Sequence, residues 1–368
     1  MENGTKTAKV GLKSEIKLPS FLKIKHVSLK QLSVFTRQLS TLINAGLPLV
    51  KALYTLTDQL DGYLKEVVAK ITQQVEAGDK FSACLARYPN IFPNVFVNMI
   101  KAAELGGMMD EVLKKLAVFL EKEQRLRARV RSALIYPAFV LGVAVIILTL
   151  LMVFVVPTFS EMFADLGGDL PVPTRILMAL SKAVRYSWYW ILLGIGALLF
   201  AYRAFVRAPK NKLLVDKLKL RVPVFGKLIQ QMAVAHFSRT LGTLLKSGVP
   251  ILGALEAVRD TVGNEVVARA TMRVHDSIKE GESVSGQMEA SGAFPPLVVR
   301  MVSVGEESGE LDNMLIQIAN DYEEEVDVTV SSLTSLLEPV LIVLMGLIVG
   351  FIVIAMFLPL FTLAKLIS

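Results

Sequence analysis

The sequence has little of what enzyme and redox sites are usually built from. It contains one cysteine, Cys84, so no disulfide can form within the chain, and we expect this residue to be a small buried apolar side chain. The three histidines, His26, His236 and His275, show neither the HExxH pattern nor the Cys/His spacing of a zinc site. The phosphate-binding motif GxxxxGKS/T is absent, and residues 305–309 (GEESG) offer carboxylates where an anion would sit. We therefore expect a protein that is not an enzyme and that binds no cofactor.

Charge is absent from two long apolar stretches, residues 138–156 and residues 340–358, each of which lies between two prolines. At about 1.5 Å of rise per residue, either stretch as a helix covers the roughly 30 Å hydrocarbon core of a bilayer. Because 53% of the 368 residues are hydrophobic and 20% are charged, membrane spans and soluble domains must coexist in the chain. We expect the chain to enter or leave the membrane at Tyr136, Pro137, Pro157, Glu338, Pro339 and Pro359.

These stretches belong to a larger repeat with an offset of 202 residues. Pro137 and Pro157 correspond to Pro339 and Pro359 at this offset. Further residues match downstream after one insertion and one deletion. The whole unit, a helical domain plus a span, is therefore duplicated, unlike the short period of a solenoid. Near the start of the copies, Phe35, Arg37, Leu39, Thr41, Leu42, Gly46 and Pro48 match Phe237, Arg239, Leu241, Thr243, Leu244, Gly248 and Pro250.

Helix signals fill both copies, and no stretch alternates apolar and polar residues as a strand would. A capping box at residues 28–31 (SLKQ) starts the first helix, and Gly46 followed by Pro48 ends it and starts the next. We predict an all-α membrane protein with two homologous cytoplasmic six-helix bundles and three transmembrane helices. The predicted divisions are a basic flexible N-terminal arm (1–27), bundle 1 (28–132), transmembrane helix 1 (133–157), a periplasmic connection (158–186), transmembrane helix 2 (187–206), a basic cytoplasmic linker (207–229), bundle 2 (230–335), transmembrane helix 3 (336–360) and a short periplasmic tail (361–368).

Each copy ends in a span that crosses the membrane. The chain must therefore cross back through a second span before the bundle of the second copy can lie on the same side as the first. Residues 1–134 hold 21 Lys/Arg against 12 Asp/Glu, and residues 203–227 hold eight against one. By the positive-inside rule, both bundles face the cytoplasm. The flank of the third span is acidic, so its direction depends on the first two. The positive surplus lies beside the membrane, so we expect anionic lipid and no nucleic acid as a partner.

Carboxylates recur at two equivalent positions of the copies, each time around a Gly-containing break. Oxygen ligands of this kind suit a divalent ion, and the competing interpretation is helix capping around the adjacent glycines. The carboxylates are Glu104 and Asp110 in the first copy and Glu306 and Asp312 in the second, and the glycines are Gly107 and Gly309.

Three segments resemble a known family: residues 129–137 (RVRSALIYP), residues 35–48 (FTRQLSTLINAGLP) and residues 305–312 (GEESGELD). From about residue 28 onward the chain resembles the type II secretion F family, the inner-membrane platform proteins of type II secretion and type IV pilus machines. The third segment lies in the second copy. The equivalent residues of the first copy, 103–110, read AELGGMMD and differ from it. Residues 35–38 (FTRQ) resemble the pilus branch of the family more than the branch that secretes exoproteins.

The resemblance implies a non-enzymatic platform in the bacterial inner membrane. It would couple a hexameric cytoplasmic assembly ATPase to the extraction and polymerisation of pilin or pseudopilin subunits. Other inner-membrane assembly proteins would be partners, and the platform would form a homo-oligomer. The alternatives are a component of a membrane transporter or channel, which needs polar groups inside its spans, and a membrane-bound signalling scaffold.

The family motifs supply candidates for partner contacts. For Arg37 and Arg239 two interpretations stay open, a contact with the ATPase or a clamp onto a helix C-terminus. The candidates are Arg37, Gly46, Pro48, Arg239, Gly248, Pro250, Gly305, Glu306, Gly309 and Asp312.

Overall fold

A computed structural model describes residues 27–159, 171–223 and 225–367, with the backbone alone at residues 191, 207, 209, 210 and 360–367. The predicted N-terminal arm up to residue 26, residues 160–170 of the predicted connection and residue 368 of the predicted tail lie outside the described residues. The described residues form helices, and no strand occurs among them. The predicted all-α fold is confirmed.

Bundle 1 is built from six helices whose apolar faces share one core. Phe35, Leu53 and Phe96 are among its fully buried side chains, so the helical spacing of apolar residues in the sequence becomes the inner face of each helix. The helices are α1 (Leu29–Asn44), α2 (Leu49–Gln59), α3 (Gly62–Glu76), α4 (Phe81–Ala86), α5 (Asn94–Gly106) and α6 (Met109–Leu150).

Bundle 2 repeats this helix order, and its core is continuous with that of bundle 1. Phe237 takes the place of Phe35 and is likewise fully buried. Its first helix begins before the border predicted at residue 230. The helices are α10 (Phe225–Lys246), α11 (Ile251–Arg259), α12 (Glu265–Lys279), α13 (Val284–Ser291), α14 (Pro296–Ser308) and α15 (Leu311–Ile367).

The first helices of the two bundles end in the same way. Gly46 and Gly248 have φ angles of 84° and 80°, in the left-handed region that glycine adopts without steric cost. The Leu47 N–H donates to the Leu42 carbonyl at 3.1 Å, and the Val249 N–H does the same to Leu244. Both ends are therefore Schellman caps. Pro48 and Pro250 then occupy the N-cap positions of α2 and α11.

The last helix of each bundle continues into an apolar span without interruption. The first of these helices runs over Met109–Phe159 and the second reaches Pro359 from Leu311. The borders predicted at residues 132/133 and 335/336 therefore fall inside helices. Within the first span, Leu151–Val155 forms a π-turn, a wider turn that leaves backbone groups for other partners.

Three helices connect the copies: α7 (Val172–Tyr186), α8 (Trp188–Arg207) and α9 (Pro209–Arg221). Of the described helices, three are long and apolar enough to cross a membrane, namely those that contain residues 138–156, 188–206 and 340–358. The three candidate spans and the two related bundles of six helices confirm the predicted all-α membrane fold. α7 lies within the predicted periplasmic connection and packs on the first and third spans.

Candidate functional site

An Arg–Glu pair joins the first helix of each bundle to the helix that enters the membrane. In bundle 1, Arg37 Nε and a terminal nitrogen of its guanidinium donate to the two carboxylate oxygens of Glu121, at 2.6 and 2.5 Å. In bundle 2, Arg239 Nε donates to Glu323 at 2.8 Å, and its guanidinium also donates to the Asn320 side chain at 2.7 Å. The planar fork of arginine suits both arrangements.

The two pairs differ in their exposure. The side chains of Arg37 and Glu121 are each 40% exposed, whereas those of Arg239 and Glu323 are 11% and 17% exposed. The hydrogen bond from Arg37 lowers the pKa of Glu121 from its ordinary value. Both arginines hold a carboxylate of the sixth helix, whereas the clamp interpretation placed them on the carbonyls of a helix C-terminus.

The two bundles meet at a junction in which α5 and α6 of bundle 1 pack on α10, α11 and α15 of bundle 2. At the end of the junction that is farthest from the spans, Asn94 on α5 donates to the Asp260 carboxylate at 2.5 Å. Further towards the membrane, α6 supplies cations: Lys115 donates to the Lys246 carbonyl at 2.7 Å, and Lys122 lies 3.4 Å from Glu323. Closest to the membrane, Arg129 pairs with Asp327. In the last three of these contacts, bundle 1 supplies the cation and bundle 2 supplies the carboxylate or carbonyl oxygen that faces it.

A mostly buried contact between a carboxylate and an imidazole lies in the middle of the junction. The Glu123 carboxylate is 2.8 Å from His236 Nδ1 and accepts a hydrogen bond of 2.6 Å from Arg127. Burial acts to raise the pKa of Glu123, but the hydrogen bonds and charges of His236 and Arg127 outweigh it and lower the pKa. The sequence predicts no role for His236, because it lies in no metal-binding or catalytic pattern, and the first copy has Val34 at the equivalent position.

Below this pair, an apolar cluster closes the junction. Leu126 on α6, Leu228 on α10, and Val326 and Val330 on α15 are buried together. Beside it, a polar cavity of about 310 Å³ separates α6 from α15 and is lined by cationic side chains of α6 and carboxylates of α15. The junction therefore fixes the two membrane-entering helices against each other through both apolar and ionic contacts.

The carboxylates that could have held a metal ion serve as helix caps. Glu306 accepts hydrogen bonds from the backbone N–H groups of Val284 and Ser285, at 2.7 and 3.1 Å, at the start of α13. Glu104 accepts from the backbone N–H and the hydroxyl of Ser82 at the start of α4. Capping by a carboxylate satisfies N–H groups that a helix start leaves free. The residues that the structure describes contain no group of three or more His, Cys, Asp or Glu placed to hold a metal ion.

The remaining motif residues shape the last turn of the fifth helix and the start of the sixth. Gly107 and Gly309 are left-handed C-caps, with φ angles of 67° and 74°. Asp110 and Asp312 lie in the first turns of α6 and α15, where the helix dipole stabilises a negative charge. Gly305 packs on α15 so closely that a Cβ atom there would lie 2.9 Å from Met314 Cβ.

The residues predicted where the chain enters or leaves the membrane lie within continuous helices. Pro137 is inside α6, and Pro339 and Pro359 are inside α15. A proline inside a helix removes one backbone hydrogen bond, so these positions are points of weaker helix. Pro157 follows the π-turn, and Tyr136 and Glu338 are exposed beside Pro137 and Pro339.

The packing of α7 on the spans is a feature that the sequence did not predict. The Ser181 hydroxyl donates to the Met152 carbonyl in the π-turn of the first span, and the Thr174 hydroxyl donates to the Ala355 carbonyl in the third span, each at 2.5 Å. Leu177 between them is fully buried against both spans. The signal available in the sequence was the amphipathic spacing of small polar and apolar residues in α7.

The fold and these contacts define a class: a duplicated all-helical membrane protein in which each copy joins a bundle to a span through one helix. The family described as "Type II secretion system (T2SS), protein F" matches residues 35–157 and, a second time, residues 237–359. The two matches are offset by the 202 residues of the internal repeat. The chain belongs to the type II secretion system protein F family.

Curated relatives come from both branches of this family. The type IV pilus assembly protein PilC of Myxococcus xanthus is 40% identical over 96% of this chain and 84% of that protein. PilC of Thermus thermophilus is 42% identical over 95% of this chain and 86% of that protein. The type II secretion system protein F of Vibrio cholerae is 31% identical over 93% of this chain and 84% of that protein. The predicted family is therefore confirmed.

Proposed function

We propose that this chain is an inner-membrane platform that couples a cytoplasmic assembly ATPase to the movement of pilin-like subunits from the bilayer into a filament. The observation that carries this proposal is the continuity of α6 and α15 between bundle and span. A contact that shifts either bundle is transmitted to the membrane along one continuous helix. The names of the family and of the relatives, which refer to secretion and pilus assembly, support the same role.

In this proposal the chain performs no chemical step, and ATP hydrolysis belongs to a hexameric ATPase that binds the bundles. Pilin or pseudopilin subunits and other inner-membrane assembly proteins are the remaining partners. An apolar groove of about 510 Å³ between the first span, the third span and α7 supports a role for the membrane portion. Its walls include Leu148, Leu180 and Phe351, which suit an apolar segment of a subunit in the bilayer.

Between the two branches, we propose pilus assembly. Identity to the PilC proteins of Myxococcus xanthus and Thermus thermophilus is 40% and 42%, against 31% and 35% for the secretion proteins of Vibrio cholerae and Xanthomonas campestris, and PilC of Pseudomonas aeruginosa lies between these two at 33%. The second candidate is the secretion of exoproteins through pseudopilins.

Deletion of the gene is expected to abolish surface filaments while pilin stays in the inner membrane, and the intact chain is expected to restore them. A variant with Gly-Ser-Gly-Ser inserted after Ser335 should accumulate normally but fail to restore filaments, because it interrupts α15 between bundle 2 and the third span. Four alanines at the same place are the matched control, since they add about one helical turn and keep the helix continuous. The readout is pilin sheared from the cell surface.

Loss of exoprotein secretion with filaments retained would move the chain to the secretion branch. If the Gly-Ser variant restores filaments as well as the alanine variant does, the proposed transmission along α15 is wrong.

The proposed orientation places both bundles in the cytoplasm. In a Cys84→Ser background, single cysteines at Gln59 and Glu289, which are exposed on bundle 1 and bundle 2, should react with a membrane-impermeant maleimide after lysis only. A cysteine at Asp169, between the first two spans, should react in intact spheroplasts. Labelling of Glu289→Cys before lysis would refute this topology.

A further inference from the structure

The junction between the bundles is heterologous, because it joins different faces of two copies of one fold. We define face A as the surface formed by the fifth and sixth helices of a bundle. Face B is formed by the first and second helices and the adjoining side of the sixth. In the junction, face A of bundle 1 packs on face B of bundle 2. Since the bundles share one fold, bundle 2 also has a face A and bundle 1 also has a face B. Among the described residues, these two faces do not pack on each other.

We propose that a second copy of this chain covers these free faces, with face A of bundle 2 packed on face B of bundle 1 in the neighbouring chain. The contact repeats the internal junction between molecules. It goes beyond the proposed function, because it does not depend on the ATPase or on a pilin.

Face A of bundle 2 exposes apolar side chains at positions where face A of bundle 1 has buried ones. Val95 on α5 is fully buried, and its counterpart Leu297 on α14 is 61% exposed. Leu126 on α6 is 6% exposed, and its counterpart Val328 on α15 is 62% exposed. Val304 on α14 is also exposed. Bundle 2 thus presents an apolar strip at the positions that form the internal junction, as expected of a surface covered by a partner.

Face B of bundle 1 shows the same difference from its counterpart. Val34 on α1 is 47% exposed, whereas the side chain of His236, its counterpart on α10, is 13% exposed. Thr41 is exposed and its counterpart Thr243 is buried. The residues that bundle 2 buries against bundle 1 therefore have open equivalents on bundle 1 itself.

Charge favours a second copy as the occupant. Residues 28–132 hold 15 Lys/Arg and 10 Asp/Glu, whereas residues 230–335 hold seven Lys/Arg and 16 Asp/Glu. On the free faces, Lys30, Lys51 and Asp58 are exposed on bundle 1, and Asp321 is exposed on bundle 2. A contact between bundle 1 and bundle 2 of different chains therefore joins opposite charges, as the internal junction does.

The contact between chains is compatible with all chains lying in one membrane. Both α6 and α15 run from a bundle into a span, and they run in the same direction, because Leu126 shares an apolar cluster with Val326 and Met152 shares one with Ile352. Repeating the contact keeps the corresponding spans of all chains in the same direction across one bilayer. A heterologous contact of this kind closes into a ring if the rotation closes.

Disulfide trapping tests the contact. Asn94 and Asp260 touch in the internal junction, and their counterparts on the free faces are Pro296 and Asp58, both exposed. The purified full chain, in a Cys84→Ser background and reconstituted in lipid vesicles, is oxidised and run on a non-reducing gel. Asp58→Cys with Pro296→Cys in one chain should give a ladder of dimers and higher species. A mixture of the two single-cysteine variants should give dimers only, and either variant alone should give none.

The internal pair is the positive control: Asn94→Cys with Asp260→Cys should form a disulfide within one chain. A second comparison uses matched substitutions of exposed leucines on the fifth helices. Leu297→Glu on face A should reduce the ladder at least fivefold, whereas Leu105→Glu, on the α4 side of α5, should leave it unchanged. The proposal is overturned if the internal pair forms while the double variant gives no ladder. Dimers from either single-cysteine variant alone would show a symmetric contact and would equally overturn it.

Discussion

Replacement of Arg239 by Ala is expected to lower the free energy of unfolding by about 3 kcal/mol, because it leaves the mostly buried Glu323 with a single weak partner. Lys122, at 3.4 Å, would be the remaining cation near this carboxylate. Replacement of Arg37 should cost about 1 kcal/mol, since both members of its pair are 40% exposed and water can solvate Glu121.

The measurement is the apparent midpoint of thermal unfolding of the full chain in detergent, compared at one scan rate because membrane proteins unfold irreversibly. The exchange variant Arg239→Glu with Glu323→Arg is the control, and it should regain part of the loss. Equal shifts for the two arginine variants would contradict the assignment of the larger energy to the buried pair. A normal midpoint for Arg239→Ala combined with loss of filaments would instead favour the partner-contact interpretation of this arginine.

A leucine at Gly242 is expected to destabilise bundle 2 by about 3 kcal/mol, the upper end of the usual cost of overpacking. A Cβ atom at Gly242 would lie 3.0 Å from Leu315 Cβ and 3.1 Å from the Asp312 carbonyl oxygen on α15. The backbone atoms of α15 cannot move aside as a flexible side chain can, so α10 and α15 must separate. The same variant should weaken platform function, because α15 is the helix that enters the membrane.

Gly346 is the matched control for this substitution. It is also helical, but no atom lies within 4 Å of a Cβ atom placed there. Gly346→Leu should therefore leave the unfolding midpoint close to that of the unchanged chain, in the same thermal assay. Equal effects of the two substitutions would show that the loss of glycine, and not the close approach of α10 to α15, is responsible.

The fold was largely predictable because its signals are local and occur twice. Helix ends depend on residues such as Gly46 and Pro48, and spans depend on uncharged length, so both can be identified without tertiary information. Because the chain contains two copies offset by 202 residues, each of these signals occurs twice in the sequence. The same offset could have identified the partners of the arginines, since Glu121 and Glu323 are related by it.

The junction was not predictable in the same way. Which face of bundle 1 meets which face of bundle 2 depends on packing between residues far apart in the sequence, and His236 has Val34 as its counterpart. The role of α7 was hidden for a related reason. The sequence predicts residues 158–186 as a periplasmic connection, whereas the Thr174 and Ser181 hydroxyls hold α7 against the spans by donating to backbone carbonyls.

The continuity of α6 makes it a lever whose pivot is the apolar cluster around Leu126. About 26 Å of helix lies on the bundle side of this residue and about 36 Å on the membrane side up to Leu150. A small change in the crossing angle of α6 and α15 therefore displaces the outer end of the first span further than it displaces the bundle. Because α7 is bonded to both spans, through Ser181 and Thr174, it acts as a tie that carries this displacement to the third span. The displacement caused by a push on one bundle is thus larger at the far end of the first span than at the bundle, and both spans share it.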